Sequence, residues 1–235
     1  LTFSVCALQL MLDRGQSKDW FESTEIVLEA VIAAVAMYMF IAHCLTSRNP
    51  YVNLAIFRDR NFVVGLVLIF VFGICAFSTM LVLPLFLQTV QAYPVLTAGW
   101  VLSARGVGTM VAMLLGGVLA DKLPVRYLIL WGLMCLVISN GWMTTWNTEV
   151  GTLEVTWVTV LSGFGMGMMW VTLTTVTFST LDQRYRIEGA ALFALIRAIG
   201  ASAGTSVVIA VLVHYSQVNY IELRENISHF NEVIR

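Results

Sequence analysis

The sequence predicts an all-α membrane protein that crosses the bilayer several times, and three observations predict it. Its 235 residues are 59% hydrophobic and 11% charged, with a mean hydropathy of +0.84. A soluble domain carries about 25% charged residues, so this chain has too little charge to cover a water-facing surface. The charges it has gather in short segments between apolar runs long enough, at about 20 residues, to span a hydrocarbon core of about 30 Å. Those short segments also alternate in character, one basic and the next acidic. A formal net charge of −1 gives no reason to expect nucleic acid or an acidic partner.

Taken in order, residues 1–12 read as the end of one span, and six full windows follow at 24–46, 62–86, 97–120, 127–147, 155–179 and 188–214. Strands are excluded by length, since a barrel strand needs only about 10 residues in strict alternation. The chain opens on Leu1-Thr2-Phe3-Ser4 inside an apolar run, without the basic n-region of a signal peptide, and closes in a polar stretch. It is therefore expected to be a piece of a longer protein.

Orientation follows from the loops. Those at 47–61, 121–126 and 180–187 carry Arg48, Arg58, Arg60, Lys122, Arg126, Arg184 and Arg186. Those at 13–23, 87–96 and 148–154, with the tail from 215, carry only Arg14, Lys18, Arg224 and Arg235, and they hold Asp13, Asp19, Glu22, Glu149 and Glu154. The positive-inside rule places the first set in the cytoplasm. Trp20, Trp100, Trp131, Trp142, Trp146 and Trp157 fall near span ends, where an amphipathic ring prefers the headgroup layer; Trp170 lies deeper, as a packing or cavity residue. The segment 50–58 is too short to span. It reads either as an interfacial helix with Leu54 and Phe57 dipping in, or as a structured loop.

Small residues mark where helices should meet. Ala190, Ala194, Ala198, Ser202, Ser206 and Ala210 recur every fourth position, Gly200 and Gly204 add a GxxxG, and Gly163, Gly165 and Gly167 do the same one helix earlier. Pro84 should kink its helix and free a carbonyl. Cys6, Cys44, Cys75 and Cys135 lie singly in separate runs, without the spacing of a metal site or a disulfide framework. No nucleophile–base pair or HExxH is present, so no catalytic or metal residue is assigned.

Arg105 and Arg197 are the costly residues. They lie eight and nine residues into their windows, about 12 and 14 Å deep at 1.5 Å per residue, close to the midplane. An arginine there costs about 2.5 kcal/mol or more unless it faces a polar cavity, an acidic partner or water. Both are candidate substrate or proton-coupling residues, with carbonyl-bonded structural arginines as the alternative. No Asp or Glu is expected at matching depth. Gln88 and Gln91 close the helix containing Pro84 and are expected at the outer mouth, lining a vestibule or lying as plain interfacial amides. His43 and His214 read as interfacial.

The turn Gly117-Val118-Leu119-Ala120-Asp121-Lys122-Leu123-Pro124-Val125-Arg126 resembles the G-x-x-x-D-[RK]-x-G-x-[RK] signature of the major facilitator superfamily, departing from it at Pro124 and in its single terminal basic residue. In that setting Gly117 permits close helix approach, Asp121 caps or ion-pairs across a cytoplasmic gate, and Lys122 and Arg126 hold the turn inside. Leu12-Asp13-Arg14-Gly15, Asn61-Phe62, Leu83-Pro84-Leu85, Ala98-Gly99, Arg105-Gly106-Val107-Gly108 and Arg197-Ala198-Ile199-Gly200 resemble, in order and spacing, the fourteen-helix drug:proton antiporters of the EmrB/QacA type.

The resemblance implies a map. Residues 1–46 would hold the end of one extra central helix, an outer loop and the second extra helix, and 47–61 a cytoplasmic linker. Five helices of the C-terminal bundle would occupy 62–214, and 215–235 an outer loop before a last helix. It further implies a multi-pass inner-membrane protein, bacterial, with no cofactor but the proton gradient and with its proton-handling residues in an N-terminal half. Small hydrophobic or amphipathic substrates are implied too. Relatives in double-membraned bacteria work with a periplasmic adaptor and an outer-membrane channel, and these residues do not distinguish such a host from a single-membraned one. Proton-driven export is the leading reading; uptake of a specific anionic metabolite is the second. A membrane-embedded enzyme or assembly subunit is the third, and it lacks its site residues.

Overall fold

The computed structural model describes residues 1–18, 20–47, 53–120, 122–147 and 150–226. Seven α-helices run through them: α1 Thr2–Arg14, α2 Thr24–Thr46, α3 Arg60–Thr89, α4 Val95–Ala120, α5 Val125–Met143, α6 Thr152–Ser179 and α7 Arg186–Asn226. Six are long and apolar enough to cross a membrane. Asp19, Arg48, Pro50–Val52, Asp121 and Glu149 lie outside the described residues, as do the side chains of Leu54 and of everything from 221 on. The chain divides into two compact units, one of Leu1–Ala42 with the chain from Ser202, the other His43–Ala201.

In the second unit α6 is the central element. Gly163 and Gly167 face α4: a Cβ on Gly163 would lie 2.1 Å from the Arg105 carbonyl oxygen, and one on Gly167 2.5 Å from that of Thr109. Gly165 faces α5, where its Cβ would lie 2.9 Å from the Gly132 carbonyl oxygen. The two-residue spacing thus puts bare backbone on two sides of one helix. Buried Thr159, Thr172 and Thr177 return their hydroxyls to the carbonyls of Val155, Met168 and Leu173 at 2.6–2.7 Å, so the helix carries polar side chains inward at no unpaired cost. α3 and α7 form a second close pair, with a Gly200 Cβ 2.4 Å from the Phe70 carbonyl oxygen and a Gly73 Cβ 2.7 Å from that of Arg197. Apolar contacts fill the rest: Leu83, Leu87, Ala98, Val101 and Val155 at one end, Ala112, Leu128 and Met168 nearer the other.

Of the segment 50–58, residues 50–52 lie outside the described residues and the rest is a short turn. Residues Leu54–Arg58 form a 3-10 turn whose buried anchor is Ile56, while Phe57 is 44% exposed. Asn53 fixes it from three atoms. Its Oδ1 accepts from Ala55 N, its backbone N–H donates to Glu188 Oε2 at 3.0 Å, and its Nδ2 donates to the Tyr185 hydroxyl at 3.3 Å. Asp59 then caps α3, Oδ1 accepting from Asn61 N at 2.9 Å, and Oδ2 takes the Thr180 hydroxyl at 2.5 Å.

Some helix bounds differ from the hydropathy windows for local reasons. α5 stops at Met143, where Thr144 and Thr145 donate their hydroxyls to Gly141 and Trp142 carbonyls and compete with the next helical turn. α3 runs unbroken through Pro84 to Thr89. α7 continues to Asn226, so 215–226 are helical instead of the expected loop; no glycine or proline interrupts that stretch, and polarity alone does not end a helix.

In the first unit Ser4 donates to the Ala33 carbonyl at 2.9 Å, joining α1 to α2. Asp13, expected in an outer loop, sits in the last turn of α1 and accepts a hydrogen bond from Ser202 of α7; Ser206 donates to the Leu12 carbonyl. Two small residues of the α7 stripe are thus anchors for α1. Glu29, in α2, has its Oε2 buried without a partner. Glu29 stands five residues past Thr24, about 8 Å along α2 and shallower than either arginine, and neither it nor Asp13 lies in the unit that holds the arginines.

Candidate functional site

Arg105 stands ten residues past Val95 on α4, and Arg197 eleven past Arg186 on α7, about 15 and 16 Å along their helices and so near mid-span. Their surroundings differ. Arg105 is tied to α6: one Nη donates to Ser162 Oγ at 3.0 Å, and Thr109 Oγ1 one turn on lies 2.9 Å from the Arg105 carbonyl and 3.0 Å from that of Gly163. Its Nε is buried without a partner. Arg105 thus belongs to the tightest helix contact in the unit.

Arg197 has no hydrogen bond and no ion pair among the described residues, and its Nε is also buried unpartnered. Instead its guanidinium carbon lies 5.3 Å from the centroid of the Trp170 ring and 6.0 Å from that of Phe77. Trp170 is held in turn by Phe72 at 6.3 Å and Phe193 at 6.4 Å. A half-buried cation above an aromatic floor is an amphipathic surface, able to take a charged or polar group and an apolar body side by side.

The other sequence candidates lie apart. Gln91 Nε2 donates to the Asn147 carbonyl at 3.0 Å, tying the α3–α4 and α5–α6 loops together, and Gln88 is exposed with no hydrogen bond among the described residues. Lys122 and Arg126 are exposed at the α4–α5 turn, Arg126 lying 5.7 Å from the Tyr127 ring centroid. Gly117 does not make the close approach expected of it within this unit. A Cβ there meets nothing within 4 Å; its neighbour Gly116 faces α6, against Met168 and Val171. The arrangement also shows what sequence reasoning passed over: a cavity of about 290 Å³ between the C-terminal halves of α3 and α5, lined by Ser78, Thr79, Phe86, Asn140 and Trp146. Thr79 donates to Asn140 Oδ1 at 3.1 Å there, and the Trp146 Nε1 is buried without a partner. No group of three His, Cys, Asp or Glu side chains among the described residues could hold a metal ion.

Comparison with known proteins follows the same lines. The family model for the Major Facilitator Superfamily matches residues 10–205. The chain is 29% identical to the Multidrug export protein EmrB of Escherichia coli over 98% of its own length and 45% of that protein's. It is 30% identical to the Fatty acid resistance protein FarB of Neisseria gonorrhoeae, covering 97% and 45% respectively. With the Lincomycin resistance protein LmrB of Listeria innocua it shares 28% identity over 81% of this chain and 40% of the relative. The chain thus spans less than half the length of the curated relatives it matches. Six apolar helices together with these bacterial relatives make it part of a multi-pass inner-membrane protein.

Proposed function

This chain belongs to the Major Facilitator Superfamily, and from that premise we propose that it is part of a proton-driven exporter of small hydrophobic or amphipathic compounds, working by alternating access. Resistance and export relatives support the reading, and one observation carries it: the unpaired Arg197 on its aromatic floor near mid-span. Cargo that is both apolar and polar finds both partners there. Arg105 borders the same mid-span level but is spent on Ser162, and positions α4 against α6. Gln88 and Gln91 belong to the outer mouth. The turn from Gly117 through Asp121 and Lys122 to Arg126 is the gate, where Gly117 offers bare backbone to an approaching segment. The proton gradient supplies the energy, and no cofactor takes part. In a double-membraned host, a periplasmic adaptor and an outer-membrane channel would carry the cargo on.

The test uses the full-length protein in vesicles with an imposed proton gradient and two fluorescent lipophilic dyes, one cationic and one a long-chain carboxylate. Gradient-dependent movement of at least one dye is expected, reduced about tenfold or more in Arg197→Ala. Folded wild-type protein that moves neither dye would overturn the export reading.

A further inference from the structure

We propose that Arg197 is the counter-charge for an amphipathic organic anion, whose carboxylate lies on the guanidinium and whose apolar body lies along Trp170 and Phe77; this deepens, and rests on, the export reading. Two cation–π contacts attract the guanidinium, but a ring quadrupole carries no net charge and leaves the cation's charge in place. The two rings therefore hold the cation without neutralising it. They also leave its planar donor fork unbonded, and that fork matches the two oxygens of a carboxylate.

The second unit offers no acid of its own. Each described acidic side chain between His43 and Ala201 is engaged at a helix end. Asp59 takes Thr180 and the α3 cap, Glu154 the Trp142 indole N–H at 2.8 Å, Asp182 pairs with Arg184 at 3.4 Å, and Glu188 accepts from Asn53. The aromatic floor selects the ligand class further. Phe72 and Phe193 extend Trp170 into an apolar surface beside the charge. A fixed protein carboxylate makes no use of such a surface, whereas the chain of an amphiphile gains by covering it. Arg105, already bonded to Ser162, lacks both the free fork and the floor.

The experiment compares the wild-type full-length protein with Arg197→Gln and Arg197→Lys in the same vesicles, reading kcat/KM for the carboxylate dye over that for the cationic dye. Arg197→Gln is expected to lower this ratio about tenfold or more, with Arg197→Lys restoring only part of it because an ammonium lacks the planar fork. A second reading needs no gradient: a bromine-labelled long-chain carboxylate should quench tryptophan fluorescence at equilibrium. The signal should drop out in Trp170→Phe, and its Kd should rise about tenfold in Arg197→Gln. A ratio unchanged by Arg197→Gln, both dyes falling together, would make the arginine's partner a permanent part of the protein and overturn the proposal. Wild-type protein that exports the cation but neither moves nor binds the carboxylate would overturn it while leaving the export reading standing. If neither dye moves, the export reading falls, and the quenching titration alone decides the anion site.

Discussion

Ser162 is the residue on which Arg105 depends, because it gives that guanidinium its one hydrogen bond among the described residues. Ser162→Ala should therefore cost about 1–3 kcal/mol, the penalty for stranding a buried charged donor, seen as a lower thermal unfolding midpoint of the purified full-length protein. An unchanged midpoint would mean that water or another group already serves Arg105. The two arginines were legible in the sequence because hydrocarbon makes a charge conspicuous against a run of apolar residues. Their partners were not. Ser162 is one hydroxyl among many on α6, and Trp170 could be placed only as a packing or cavity residue, since a helix apolar on every side does not announce which face meets which neighbour. Asp13 was misplaced for a related reason: a charge near the end of an apolar run reads as loop until the serine that receives it is known.

At the scale of elements, the glycines of α6 were readable from spacing alone, and the structure gives each a backbone opposite. Gly163→Ala would drive a methyl to 2.1 Å from the Arg105 carbonyl oxygen, so α4 and α6 must part. A loss at or above the about 1–3 kcal/mol of ordinary overpacking is expected, as reduced yield and a lower unfolding midpoint. Gly117→Ala, with open space around it, should stay within about 0.5 kcal/mol of wild type in stability. Equal losses in the two variants would contradict the helix contact described here. Helix ends were the least legible part, because they were decided by hydroxyls that fold back on carbonyls, as at Thr144, and not by hydropathy.

At the scale of the whole molecule, loop charge predicts which ends face the cytoplasm. In a full-length protein whose Cys6, Cys44, Cys75 and Cys135 are replaced by alanine, a membrane-impermeant maleimide on intact spheroplasts should label a Thr145→Cys variant at once. An Arg184→Cys variant should be labelled only after the membrane is opened. The opposite pattern would invert the topology. Such an orientation leaves α6 crossing the bilayer with very unequal neighbours. Towards α4 and α5 it is seated backbone against backbone, and a backbone has no rotamers with which to yield. Towards the Arg197 side of α7 it rests on rings, Trp170 against Phe193 and Phe178 against Phe193, which can turn on their bonds. In mechanical terms α6 is a beam welded along one flange and sprung along the other. Displacement of α4 or α5 passes through it without slack and is taken up at the aromatic side, where the cation stands.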